Sequence, residues 1–406
     1  MKVTNQTGLT LSTLTICLVV VLCLITMSAV PGYQIGVSWL EALIIFLCFA
    51  FGIYRTRIRV GLFGFALFPM IVFTIIEVFY YKDGAMLWVR TVLLLIAGIL
   101  FWNSAIRKKI NVFKYIYSIG VIFVTFNMIV YFVVKVLGVG LPYLMFSNDW
   151  LPPFKNYFFL LYERTNMTSV LVGPLAFYRN AAIFTEPGLY AVTLNILLMI
   201  NLYSDVRKKK WHFALIMIAL FSTLSTTGLM VGALLVLYKM VQNTKRKSNR
   251  ILKGVVALFA TVIITSILLN LKLSNAMASF SWRYYDIIEG FSLFAQKPLI
   301  GWGYRNIDVY RNMMVERYYN YRGNSNSIVS TLYQVGLLGI YIYIAPLLAI
   351  YRKKIIDKRK SKLFTILVIC FLLLIMSQPI LDSALGLFVI SYLYAYVING
   401  RKYENV

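Results

Sequence analysis

The chain is short of histidine, of acidic residues and of cysteine. His212 is the only histidine. Aspartate and glutamate together number 14, against 40 lysines and arginines. The four cysteines, Cys17, Cys23, Cys48 and Cys370, all lie inside apolar runs. A metal centre needs clustered His, Cys or carboxylate ligands at set spacings, and no such spacing occurs. No metal site and no cofactor is expected. The cysteines read as buried packing residues, which excludes a disulfide framework. The alternation of a membrane β-barrel is missing as well.

What is abundant is apolar sequence. Hydrophobic residues make up 60% of the 406 and charged residues only 13%. A soluble chain of this length cannot hide so much apolar surface in one or two cores. Runs of about 20 apolar residues recur along the whole length, the mark of repeated transmembrane helices. The expected fold is an all-α polytopic membrane protein, one integral membrane domain over 1–406. It has about twelve spans: 10–30, 36–54, 60–80, 85–102, 116–138, 187–203, 211–224, 228–241, 254–271, 327–350, 363–377 and 380–398. The first run resembles a signal peptide. Its weak basic start (Lys2), its length and the spans behind it make it an uncleaved first helix.

Lysines and arginines set the orientation. "RTRIR" (55–59), "RKK" (107–109), "RKKK" (207–210), "KRKSNR" (245–250) and "RKKIIDKRKSK" (352–362) all fall on one side of the twelve-span arrangement. That side, with both termini, is expected to be cytoplasmic. The net charge of +26 is then a topology signal and an attraction to the anionic surface of a lipid bilayer. Nucleic acid is not expected as a partner.

Two large loops lie on the opposite face, 140–186 and 272–326, and both are expected to contain short helices. Long loops in a compact protein usually carry function. The first contains "LPYLMFSNDWLPPFKNYFFLLYERTNM" (141–167) and ends in "YRNAAIFTEPG" (178–188). Pro187 forces the residue before it into extended backbone and suits a first helical turn, so the sixth helix should start there. Glu186 then sits at the helix N-terminus. It complements the helix dipole, with Thr185 available as a cap, or it serves chemistry together with Arg179.

The second loop should contain two short helices. Ile287, Ile288, Phe291 and Phe294 give Trp282–Ala295 the spacing of an amphipathic helix on a membrane surface. Pro298 and "GWG" (301–303) break it, and a second stretch follows from Asn306 to Tyr319. Arg283, Arg305, Arg311, Arg317 and Arg322 lie in this loop. Arginine suits bidentate contact with phosphate oxygens. Singly, each arginine can pair with Asp286, Glu289, Asp308 or Glu316; as a group they suit an anionic ligand. Tyr304 and its aromatic neighbours suit stacking on sugars or an interfacial belt. Arg90, inside the fourth span, is a functional candidate by its cost there, or a snorkelling side chain.

"RNAAIFTEPGLYA" (179–191), "WRYYDIIEGFSLFAQKPLIGWG" (282–303) and "NSNSIVSTLYQVGLLG" (324–339) together resemble the Wzy-type O-antigen and capsule polymerases, and in part the related O-antigen ligases. The resemblance implies a GT-C-like, metal-independent, inverting membrane glycosyltransferase in the bacterial inner membrane, acting at the periplasmic face. Its donor and acceptor would be glycans on undecaprenyl diphosphate, with a chain-length regulator as a candidate partner. Arg179, Glu186 and Pro187 match the family's arginine followed by Glu-Pro. Arg283 matches the arginine ahead of the Pro-x-x-Gly-x-Gly segment. Glu186, Arg283 and Arg179 are thus the catalytic candidates, and Arg90, Arg305, Arg311, Arg322, Asn326 and Tyr304 the substrate-binding ones. Many relatives, ligases especially, carry a histidine before the asparagine that matches Asn326. Here that residue is Ser325, which favours polymerase over ligase. No DxD motif or glycine-rich phosphate cradle occurs, so a nucleotide sugar held by a metal is not the expected donor. A lipid-oligosaccharide flippase needs charges along a central cavity, and the spans offer few, among them Glu41, Glu77 and Arg90.

Overall fold

The computed structural model describes residues 3–28, 37–53, 60–82, 84–148, 151–164, 170–172, 175–204, 206, 209–242, 266, 281–352 and 358–399. Helices dominate: α1 (Val3–Ile25), α2 (Val37–Ile53), α3 (Val60–Ile76), α4 (Ala85–Arg107), α5 (Val112–Tyr131), α6 (Pro187–Tyr203), α7 (Lys210–Ser222), α8 (Thr226–Gln242), α9 (281–296), α10 (Ile307–Tyr318), α11 (Ser327–Arg352), α12 (Lys358–Ile375) and α13 (Ala384–Asn399). α3 and α5 each run on into a π-helical turn, Glu77–Tyr81 and Phe132–Val136. Three helices are long and apolar enough to cross a membrane: Ala85–Arg107, Val112–Val136 and Ser327–Arg352. The remaining apolar helices are shorter. A described helix overlaps every expected span but the ninth. That span (254–271) lies outside the described residues apart from 266, as do Lys272, the basic loops 55–59 and 245–250, and 207–208 and 353–357.

The helices pack around two apolar cores. One joins α1, α2, α3, α4, α11 and α13 through residues such as Ile16, Ile44, Phe73, Phe101, Ile342 and Phe388. The other joins α5, α6, α7, α8 and α12 through Val124, Leu194, Leu220, Val231 and Leu374. Outward faces expose Phe46, Phe68, Ile122, Phe126 and Leu348. In water such faces would be costly; in hydrocarbon they are the expected exterior.

Among its described residues the first large loop is not helical, which corrects the expectation of short helices there. It forms an antiparallel sheet of β1 (Leu144–Asn148), β2 (Leu151–Tyr157) and β3 (Leu161–Arg164), and a hairpin of β4 (Val170–Val172) and β5 (Leu175–Phe177). The prolines explain it. Pro152 and Pro153 exclude a helix interior and fall where the β1–β2 register shifts, between Asn148↔Leu151 and Phe146↔Phe154. A bulge is where a strand tolerates residues that cannot donate.

α6 starts at Pro187, as its sequence requires, but Thr185 is not the cap. Pro187 holds Glu186 extended (φ −142°, ψ 145°), and Glu186 is the N-cap residue without a capping side-chain bond.

α11 is broken at Gly336, which has φ +62° and ψ −167° inside an otherwise helical run. The Pro-x-x-Gly-x-Gly segment fills the break. Trp302 N donates to Tyr333 O (2.9 Å), Gly303 N to Gln334 O (2.9 Å), Leu337 N to Pro298 O (2.9 Å) and Leu338 N to Leu299 O (3.1 Å). A Cβ on Gly301 would stand 2.3 Å from the Gln334 carbonyl oxygen, and one on Gly336 2.4 Å from that of Leu299. Two glycines thus let two backbones touch, and the second loop is stitched into a membrane helix.

Candidate active site

Arg179 reaches the N-terminus of α6 through a rigid turn. Asn180 is fully buried and bonded on all sides: to Asn127 Oδ1 (3.0 Å), Ser222 Oγ (3.1 Å) and the Ala182 amide (2.9 Å). Tyr190 donates its hydroxyl to the same Asn127 (2.9 Å). Ala182 is held at φ +49°, an uncommon conformation for a residue with a side chain and one that persists only where the surroundings fix it. Arg179 Nε donates to the Thr223 carbonyl (3.2 Å) in the α7–α8 turn.

Arg179, Glu186 and Arg283 come together. The Glu186 carboxylate acts electrostatically on both guanidinium groups, and Arg283 acts on Arg179. Burial pushes the Arg179 guanidinium down; Glu186 opposes that shift, and Arg283 adds to it. Burial also lowers Arg283, against the pull of Glu186 and Asp286, with Arg322 adding to the lowering. Guanidinium groups stay charged through such shifts. Among the described residues neither the Glu186 carboxylate nor the Arg283 guanidinium is engaged by a side-chain hydrogen bond or ion pair, and Glu186 is exposed. A carboxylate and two cations with free valence at one helix N-terminus can bind an anion and accept a proton.

α9 carries Arg283 and is anchored by its inner acids. Asp286, fully buried, receives the Tyr310 hydroxyl (2.7 Å), Arg322 Nη2 (3.0 Å) and both the amide and the hydroxyl of Ser325. Glu289 receives Arg317 and the Tyr318 hydroxyl (2.6 Å). Arg311 pairs with Asp308 (3.3 Å) on the surface. Local pairing therefore accounts for Arg311, Arg317 and Arg322. Arg322 still keeps its Nη1 without a partner among the described residues, and its guanidinium lies over the Trp282 ring at 5.3 Å. Asn326 caps α11, its side-chain oxygen accepting from the Ile328 and Val329 amides (3.1 and 3.2 Å).

Arg305, Tyr304 and Arg90 belong to a separate constellation. Arg90 pairs with Glu41 at 2.6 Å and bonds Ser38. Arg305, at φ +57°, donates from Nη2 to the Asp382 carbonyl (3.0 Å). Burial acts to lower the Arg305 guanidinium, but Tyr304, Asp382 and Glu41 outweigh it and raise it. Tyr304 is 1% exposed and bonds Thr91 at 2.8 Å, so its ring is packed and presents no face to a ligand.

The turn between α12 and α13 connects both constellations. Ser327 Oγ donates to the Gln378 carbonyl and accepts from the Leu381 amide (3.2 Å). A Cβ on Gly188 would lie 2.0 Å from Gln378 Nε2, so this turn packs on the first turn of α6. Asp382, in the same turn, accepts from the Tyr343 hydroxyl (2.6 Å). Sequence reasoning treated the turn as a connection only. A signal was there: Asp382 is a carboxylate inside an expected apolar span, and so functional by default.

Residues 211–344 match the family described as O-antigen ligase. No curated protein and no solved structure matches the chain. The matched stretch runs from α7 into α11 and includes Arg283, Arg305, Arg311, Arg322 and Asn326; Arg90, Arg179 and Glu186 precede it. Through residues 211–344 the chain carries a domain similar to that of the O-antigen ligase family.

Proposed function

We propose that this chain is a polysaccharide polymerase of the bacterial inner membrane, transferring a glycan from one undecaprenyl diphosphate onto a repeat unit carried by another at the periplasmic face. The feature that carries the reading is the Glu186 carboxylate, which makes no side-chain hydrogen bond or ion pair among the described residues and lies within electrostatic reach of Arg179 and Arg283. In an inverting transfer, the acceptor hydroxyl attacks the anomeric carbon of the donor as the carbon–oxygen bond to diphosphate breaks. The hydroxyl proton goes to Glu186, and the charge growing on the diphosphate is met by Arg179 and Arg283. Both cations are partly desolvated before the reaction, which strengthens each contact with the leaving group. The unpaired Nη1 of Arg322 lies on the same loop and suits a second phosphate oxygen. The reaction as proposed uses no metal.

A second reading, O-antigen ligase, is favoured by the matched family's description. The two differ in acceptor. Against the ligase stands Ser325, whose hydroxyl is spent on Asp286 where many ligases carry histidine. The purified chain in proteoliposomes with a lipid-diphosphate repeat unit and no nucleotide separates them. A ladder of repeats supports polymerase; transfer only to added lipid A–core supports ligase; neither product overturns both.

A further inference from the structure

Two side-chain amides lie behind Arg179. Asn127 sits within α5, Asn180 follows Arg179 in the chain, and both are fully buried. They bond reciprocally: Asn180 Nδ2 donates to Asn127 Oδ1 (3.0 Å), and Asn127 Nδ2 to Asn180 Oδ1 (3.4 Å). Each amide also reaches outward. Asn127 Nδ2 donates to the Leu160 carbonyl (2.9 Å), and Asn127 Oδ1 accepts the Tyr190 hydroxyl (2.9 Å). Asn180 bonds the end of α7, through its backbone amide to the Ser222 carbonyl (2.9 Å) and through Nδ2 to Ser222 Oγ (3.1 Å).

The pair touches both halves of the candidate site. On one side it holds the turn that follows Arg179, whose Nε is bonded to Thr223, the next residue along the same end of α7. On the other it holds Tyr190, one helical turn beyond Glu186, and the Tyr190 amide donates to the Glu186 carbonyl (3.4 Å). Asn127 thus bonds the segment that carries Arg179 and the helix that carries Glu186. Inside apolar surroundings an amide that loses its partners is costly, so a satisfied network of this kind is rigid. Groups that must meet reacting atoms depend on such support, and a shift of about 1 Å can cost about a hundredfold in rate. Asn195 offers a contrast. It is equally buried on α6, but its Nδ2 donates to the Ala191 and Gly228 carbonyls (2.8 and 3.0 Å) and ties α6 to α8.

We propose that Asn127 and Asn180 are positioning residues for glycosyl transfer, holding Arg179 and Glu186 in register through their shared amide bonds. The proposal rests on the transfer reading of that site. Its test is steady-state transfer by the full chain in proteoliposomes from a lipid-diphosphate repeat unit, with kcat and KM taken per folded protein. Asn127→Leu keeps the volume and removes the amide; it should lower kcat at least about tenfold with KM within about twofold of wild type. Tyr190→Phe deletes one bond to Asn127 and keeps the ring; it should lower kcat about threefold at an unchanged unfolding midpoint, and it carries the test should Asn127→Leu fail to fold. Asn195→Leu should leave kcat within about twofold of wild type. A role in packing alone predicts the same kcat for Asn127→Leu and Asn195→Leu; that result, or wild-type kcat in Tyr190→Phe, overturns the proposal while the transfer reading stands. No transfer by wild type sinks the transfer reading and the positioning role together.

Discussion

At the scale of single residues, what matters is which charges are spent and which are free. Asp286 is spent: Tyr310, Arg322 and Ser325 all converge on it, and its work is to hold Arg283 and the 322–326 turn together. Asp286→Ala should leave Arg322 uncompensated in a partly buried site, at a cost of about 2–4 kcal/mol. Hydrogen exchange in α10 and the 320–326 segment should rise in that variant; unchanged protection would contradict the role. Glu186 and Arg283 are free, and the prediction for them is of another kind. Glu186→Gln and Arg283→Gln should leave protein level and unfolding midpoint near wild type while lowering transfer at least about a hundredfold. Loss of protein instead would mean that the charges are structural. Sequence alone left Glu186 divided between dipole partner and reactive group. It makes no capping bond and it reaches two arginines, and sequence spacing reports neither fact.

At the scale of elements, the break in α11 and the packing at α6 explain two glycines that patterning passed over. Gly336 reads as an ordinary small residue in a long apolar run. It holds φ +62° against the Pro298–Gly303 segment. Gly336→Ala should cost more than about 1 kcal/mol through strain and clash together, read as a lower unfolding midpoint. Gly188 is different, since its neighbour is a side chain. Gly188→Ala should destabilise by collision with Gln378, and Gln378→Ala should relieve most of that loss. Additive losses in the double variant would contradict the contact. The order of the helices and the start of α6 were legible because Pro187, apolar runs and turn residues act locally. The sheet in the first loop was hidden because aromatic, proline-rich sequence fits several irregular structures; cross-strand pairing such as Phe154↔Arg164 decided the outcome. The union of Pro298–Gly303 with Gly336 is a long-range contact, and no local pattern encodes it.

At the scale of the whole molecule, two apolar cores and outward apolar faces carry a charged site on connecting segments at one helix N-terminus. The charge pattern predicts that the loops at 178–186 and 297–326 share one side of the membrane and the basic turn at 107–109 the other. Tyr319 is 94% exposed and Lys109 is exposed, so single cysteines at these positions suit labelling by an impermeant thiol reagent. A cysteine at 319 should label in intact spheroplasts and one at 109 only after permeabilisation; labelling of both in intact spheroplasts would overturn the orientation. Arg179, Glu186 and Arg283 were named by the motif resemblance, whereas Asp382 and Gln378 were not, being lone polar residues in or beside apolar runs. The account stands most directly on one measurement: glycan transfer by the purified chain in proteoliposomes from a lipid-diphosphate repeat unit, wild type against Glu186→Gln and Arg283→Gln. It predicts lengthened glycan from wild type and none above background from either variant. Equal product from all three would contradict it.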